Sequence, residues 1–338
     1  MEAASVRTPA PVGGGRSIPG RSPLARVGDP AFRWLLTAIA AGILVLIVVF
    51  FVRLLVEARP ALARFGPLGF TFRNDWDVSR ELYGAAPLLV GTLITSAIAL
   101  VIGVPVAIAA ALFVTELCPR RLRSPLTVLI EMLAAVPSVV YGLWGVFVLI
   151  PTLRPAEQWF ARTFSFVPWL GGGSVAGPGY FVAGLILAIM ILPIVSAISR
   201  EVMSTVPAEQ KEAALALGAT RWEMIRLAVL PHSRPGIAGA SLLGLGRALG
   251  ETIAVTLVIG NAPVIGQHLF SQGYTLAAVI ANEFGEAAAD PVHRAALIAA
   301  GLLLFVLTLL VNAGARSLIV RGDRRRATAS AAALGGVA

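Results

Sequence analysis

Long, almost uncharged apolar runs recur along this chain, and each is long enough to cross the hydrocarbon core of a bilayer. Inside lipid no water is available to the backbone, so such a run must satisfy its own N–H and C=O groups as a helix. Composition agrees: 57% of the 338 residues are hydrophobic, 13% are charged, and mean hydropathy is +0.84. A soluble domain of this length is not so apolar. The expected fold class is an all-α polytopic membrane protein with about six transmembrane helices.

The expected spans are Trp34–Val56, Pro87–Val114, Pro125–Ile150, Gly179–Ser199, Pro235–Gly260 and His293–Val320. Residues 1–30, rich in Pro, Gly, Ser and Arg and without periodicity, read as a disordered N-terminus. They do not read as a signal peptide, because the apolar run starts late and lacks a small-residue cleavage site. The first span and its following loop occupy 31–86, a transmembrane core 87–320, and a basic tail 321–338. Between spans three and four, Trp159, Phe160, Phe164, Phe166 and Trp169 suggest a short helix lying along the membrane surface.

Arginine placement sets the orientation. The N-terminus, the turn with Arg120, Arg121 and Arg123, the loop 200–234 and the tail together hold more than twice the basic residues of the opposite loops. The positive-inside rule puts both termini and the 200–234 loop in the cytoplasm of a plasma (inner) membrane. The net charge of +9 is thereby a topological signal, and nucleic acid is not an expected partner. Lys211 is the chain's one lysine, which reads as a base-composition effect.

Within the cytoplasmic loop, Glu212-Ala213-Ala214 opens a helical turn and Gly218 allows a sharp change of direction. A second amphipathic segment from Trp222 follows, with Pro231 expected as its stop. On composition this could be an ordinary interfacial helix-turn-helix. In the fifth span, Arg247 and Glu251 fall near the bilayer midplane, where a charge costs about 2.5–3.5 kcal/mol and must face protein or water. At ~100° per residue they share a face with Ala240 and Gly244, while Gly246 and Gly250 form a small-residue pair on another. The plain alternative is an i, i+4 intrahelical ion pair, but two apolar residues would be cheaper and Arg-before-Glu is the weaker order. A guanidinium suits a tetrahedral oxyanion, so both residues are assigned to a substrate pathway. Thr92 and Ser96 in span two, Ser138 and Tyr141 in span three, and Asn261 at the end of span five are weaker pathway candidates.

Several chemistries have no support. A Walker A loop is missing around Lys211, Cys118 is the lone cysteine, and His232, His268 and His293 lack metal-ligand spacing. No catalytic residue, cofactor or metal is expected.

The order Glu212-Ala213-Ala214, Gly218, Leu230-Pro231 resembles the EAA loop of ATP-binding-cassette importer permeases, with Ala228 where that family usually has isoleucine or valine. The stretches YGAAPLLVGTLITS, VPSVVYGLWGVFVLIP and GRALGETIAVTLVIGN are similar to segments of PstC-type phosphate permeases, and the resemblance covers roughly residues 80–320. It implies a type I, MetI-like permease subunit of an ATP-driven phosphate importer, with 212–231 as the ATPase-coupling loop. It also implies a second PstA-type permease, two PstB-type ATPase subunits and an extracytoplasmic PstS-type phosphate-binding protein. The alternatives are a permease for sulfate or molybdate, or an ion-coupled carrier without an ATPase.

Overall fold

The computed structural model describes residues 23–171 and 175–335, with side chains over 32–171 and 175–317. The chain divides into two compact units, Met1–Arg53 and Leu54–Ala338. In the first, backbone helix begins at Pro23, so the expected disordered segment 1–30 lies mostly outside the described residues. That helix, α1 (Pro23–Phe65), runs on into the second unit, and its apolar side chains from Phe32 onward are largely exposed.

The second unit continues with α2 (Pro67–Phe72) and a two-stranded antiparallel hairpin, β1 (Trp76–Asp77) and β2 (Leu82–Tyr83), in which Trp76 pairs with Tyr83. Next come α3 (Ala86–Leu112), ending in a π turn Phe113–Leu117, and α4 (Arg120–Ala134). They are followed by α5 (Ser138–Trp144), a π turn Gly145–Leu149, α6 (Ile150–Thr163) and α7 (Tyr180–Ser204). The chain then forms α8 (Ala208–Ala216), α9 (Arg221–Met224), a third π turn Ile225–Val229, α10 (Leu230–Gly250), α11 (Ile253–Val258), α12 (Leu276–Glu283) and α13 (Pro291–Gly335).

Among the described residues, five helical stretches are long and apolar enough to cross a membrane: Phe32–Phe65, Ala86–Leu117, Ser138–Thr163, Tyr180–Ser204 and Pro291–Ser317. Two expected spans come out differently. The third was expected over Pro125–Ile150, but the helix stops at Ala134 and restarts at Ser138. Pro137 has no N–H to give and pushes the residue before it out of helical geometry. The stretch long and apolar enough to cross therefore starts at Ser138, and its helix runs on unbroken to Thr163, through part of the segment expected to hold a surface helix. Upstream, α4 is a separate amphipathic helix with no buried residue.

The fifth expected span, Pro235–Gly260, is not continuous. α10 ends at Gly250, Glu251 is extended (ψ 132°), and α11 begins only at Ile253. Gly246 and Gly250 each weaken helix by about 1 kcal/mol relative to alanine, and β-branched Thr252 and Ile253 add to the tendency to break. Pro231 also departs from expectation: the helix runs through it, from the π turn Ile225–Val229 into α10, and it stops nothing.

The core is the packing of α3, α7 and α10, with α11 laid against α5. Ala99, Ile186, Ile191, Val195, Ala240 and Val258 are all fully buried there. Each branched side chain removed from solvent contributes about 1.5–3 kcal/mol where water is the alternative. α3 and α7 approach closely because Gly184 faces Ile98, where an added Cβ would sit 2.5 Å from the isoleucine Cβ. At one end, the hairpin is pinned to the α12–α13 turn. Trp76 Nε1 donates to Glu283 Oε2 at 3.1 Å, and His293 Nε2 lies 3.0 Å from the same oxygen. Tyr83 stacks on His293, and burial, with the Asp290 charge second, pushes its phenol up to about 12.

Candidate functional site

Two places in the second unit leave the wrong kind of group open. The first is the loop between α7 and α10. Pro207 caps α8 in extended geometry, and Gly218 takes φ +85°, a left-handed conformation that costs glycine nothing. Thr220 and Glu223 then close a capping box: Thr220 Oγ1 accepts from the Glu223 N–H at 3.3 Å, and Glu223 Oε2 accepts from the Thr220 N–H at 2.7 Å. The Thr220 N–H, and second the Thr220 hydroxyl donating to the same Oε2 at 2.8 Å, hold the Glu223 carboxyl below its ordinary value.

Beneath the loop, Met203, Val206, Met224, Ile225 and Val229 pack with Ala111 of α3 into a small apolar core, with Ala214 and Leu230 against it. Above it, Leu215, Trp222 and Leu227 are exposed and Leu217 is 90% exposed. A cavity of about 710 Å³ opens here, lined among others by Ala213, Ala214, Leu217, Gly218 and Leu227. Glu212, Ala213 and Pro231 are exposed beside it. Leu217 was not singled out from the sequence; only its place one residue before the turn glycine could have marked it. The capping box, Thr-x-x-Glu, was legible and overlooked.

The second place is the α10–α11 break. α10 ends at Gly250, and Arg247 and Glu251 do not form the i, i+4 pair that the sequence allowed. Among the described residues neither side chain has a hydrogen bond or ion pair. Arg247 is exposed and Glu251 half-buried. Ala240 and Gly244, expected on the same face, instead turn inward, Gly244 against Val195 and Ile191 of α7. Alongside Arg247 runs an open stripe of Gly239, Leu243, Gly246 and Gly250, with nothing within 4 Å of where a Cβ on any of the three glycines would lie.

The weaker candidates separate. Tyr141 lies within electrostatic reach of Arg247, with its hydroxyl donated to the Leu133 carbonyl at 2.8 Å. Ser138 is half-buried at the start of the same helix. Asn261 sits just past α11 at φ +53°, a region asparagine tolerates, donating Nδ2 to the Thr256 carbonyl at 3.0 Å while its Oδ1 is buried without a partner. Thr92 is committed elsewhere: its hydroxyl donates to Leu88 O at 2.7 Å and accepts from Leu276 N at 3.0 Å, tying α3 to α12. Ser96 is buried in α3 with an unpartnered hydroxyl.

The profile of the family described as binding-protein-dependent transport system inner membrane component matches residues 103–321. The phosphate transport system permease protein PstC of Mesorhizobium japonicum is 45% identical over 295 residues, 86% of this chain and 90% of that protein. PstC of Pasteurella multocida is 46% identical over 268 residues, covering 77% and 83%. PstC 2 of Mycobacterium tuberculosis is 44% identical over 304 residues, covering 87% and 92%. Among solved structures, a bacterial ABC transporter involved in alginate import superimposes with a TM-score of 0.56 at 18% identity, over 88% of this chain and 99% of that one. At that identity the likeness speaks for the fold, which is that of an ABC importer permease. This chain belongs to the binding-protein-dependent transport system inner membrane component family, among the PstC-type permeases. It is a transport component, not an enzyme, and works with other ABC transporter subunits.

Proposed function

We propose that this chain is the membrane-spanning permease subunit of an ATP-driven inorganic phosphate importer, with both termini and the α8–α9 loop on the cytoplasmic side. The observation that carries the reading is the 45% identity to a phosphate permease across nearly the whole of both chains. The geometry supports it in two ways. Leu215, Leu217, Trp222 and Leu227 project from a loop between two spans, where an ATPase groove would cover them. Arg247 stands open at a helix break, and irregular backbone at membrane depth is tolerated where it lines a water-filled cavity.

In this reading α10 and α11 make the fifth crossing of six, broken at Glu251. The stripe of Gly239, Leu243, Gly246 and Gly250 receives the second permease, and Arg247 offers its donors to phosphate in the passage between the two. Glu251, half-buried at the break, takes the guanidinium in another state of the transport cycle. Tyr141, Ser138 and Asn261 line the same side, whereas Thr92 serves α3–α12 packing. An extracytoplasmic binding protein delivers phosphate, and two ATPase subunits drive the cycle through Glu212–Pro231.

Reconstitution tests the reading directly. Tagged protein purified from its own cell should bring down an ATPase and a second permease. In proteoliposomes with phosphate-loaded binding protein it should take up radiolabelled phosphate, with sulfate and molybdate competing poorly. Uptake that persists with no ATPase retained would overturn it.

A further inference from the structure

Every basic side chain outside histidine is arginine except one, Lys211 on α8. Its Nζ lies 2.6 Å from Glu116 Oε1, and the pair is largely shielded, with 21% and 9% of the two side chains exposed. Glu116 belongs to the π turn Phe113–Leu117 that ends α3, far away in sequence. The residues just before it are held too. Carbonyls at the end of a helix lack intrahelical partners, and Arg123 of α4 takes two of them, donating Nε to Val114 O at 3.0 Å and Nη2 to Thr115 O. α4 is tied in turn to α7 by Arg200–Glu131 at 2.8 Å. The end of α3 is therefore gripped by α4 on one flank and by α8 on another.

We propose that the Lys211–Glu116 pair is the positioning contact through which the α8 loop moves α3 during transport. This rests on the α8–α9 loop being the ATPase-coupling loop. α3 also meets the loop region through an apolar patch, Ile108, Ala111 and Leu112 against Met224, Ile225 and Val229. Apolar contact is non-directional and allows elements to slide. A short, shielded charge pair is directional, and separating it strands both charges in a poorly solvated place. It therefore sets the register in which α8 pushes or pulls on α3, while the apolar patch supplies adhesion. A lysine suits the position because a compact ammonium meets one carboxylate oxygen between two helices, where a planar guanidinium would need room for its fork. Other charges do not substitute: Glu209 and Glu212 on α8 are exposed, and Arg123 is committed to carbonyls. α3 packs along α7 and α10, so a displacement at Glu116 reaches the helix that carries Arg247.

The experiment uses the assembled transporter in proteoliposomes with phosphate-loaded binding protein, comparing Lys211→Glu, Glu116→Lys and the two combined. Three quantities are read: ATPase subunit retained, ATP hydrolysed, and radiolabelled phosphate taken up per ATP. Each single reversal should retain the ATPase but lower uptake per ATP about tenfold or more, and the combined swap should restore most of it. Single reversals with normal uptake per ATP, or a swap no better than its parents, would overturn the proposal. Should the reversals fold poorly, Lys211→Met and Glu116→Gln are compared per folded complex, and a loss that merely follows folded yield also overturns it. A wild-type complex that retains no ATPase would sink the functional reading itself; an indifferent swap in a working complex sinks only this contact.

Discussion

On the α8–α9 loop the side chains left open are apolar, Leu217 above all, in a segment whose expected surroundings are water. At the α10–α11 break the open groups are a guanidinium and a row of glycines, in a segment whose expected surroundings are lipid. Each region would be costly in the solvent that composition assigns to it: exposed leucine and tryptophan in water, an uncompensated charge in hydrocarbon. The mismatch has opposite sign in the two places. On the proposed function both are surfaces completed by protein, a groove with apolar pockets in one case and a polar passage in the other.

The largest effect should come from Leu217→Glu, which would bury a charge in the ATPase groove. Retention of the ATPase in pull-downs should fall about 100-fold or more, with membrane insertion unchanged. Normal retention would mean the loop's apolar side chains face something else. Arg247→Gln acts on the other region: phosphate uptake should drop on the order of 10- to 100-fold while the ATPase is retained, the loss of one charge-assisted contact. Undiminished uptake would leave Arg247 a structural residue.

Gly246→Leu distinguishes a protein-covered stripe from a lipid-covered one. Against a closely packed helix the added side chain should cost about 1–3 kcal/mol and weaken recovery of the second permease, whereas in lipid it would be harmless. Thr92→Val is the control outside both regions. It leaves Leu276 N–H unpaired, so thermal stability should fall by about 1–3 kcal/mol with uptake per folded complex unchanged. Altered phosphate selectivity in that variant would put Thr92 back in the pathway. Smallest is Thr220→Ala, which removes one half of the capping box and should cost about 1 kcal/mol of local stability, seen as faster amide exchange over α9.

Much of the fold was legible because lipid leaves a chain few choices: a long apolar run is a helix. The third span slipped because Pro125 and Pro137 both look like span punctuation, and only the break at Pro137 is real; Pro125 lies inside α4. The Lys211–Glu116 pair was beyond reach because its members lie 95 positions apart, and no periodicity connects such residues. At Arg247 and Glu251 the residue types pointed to the region, but the helix expected to run on past them stops there.

By itself, the sequence determined the class of protein, most of its long apolar helices and the family, since hydropathy, turn residues and motif order are local properties of the chain. Tertiary structure decided where those helices break and which groups are left without partners. Where the chain turns after Arg247 and Glu251 is set at one backbone dihedral of residue 251, and whether Thr92 meets substrate or Leu276 depends on how α3 lies against α12. Both are set by packing between distant segments, where small differences in burial outweigh any local preference.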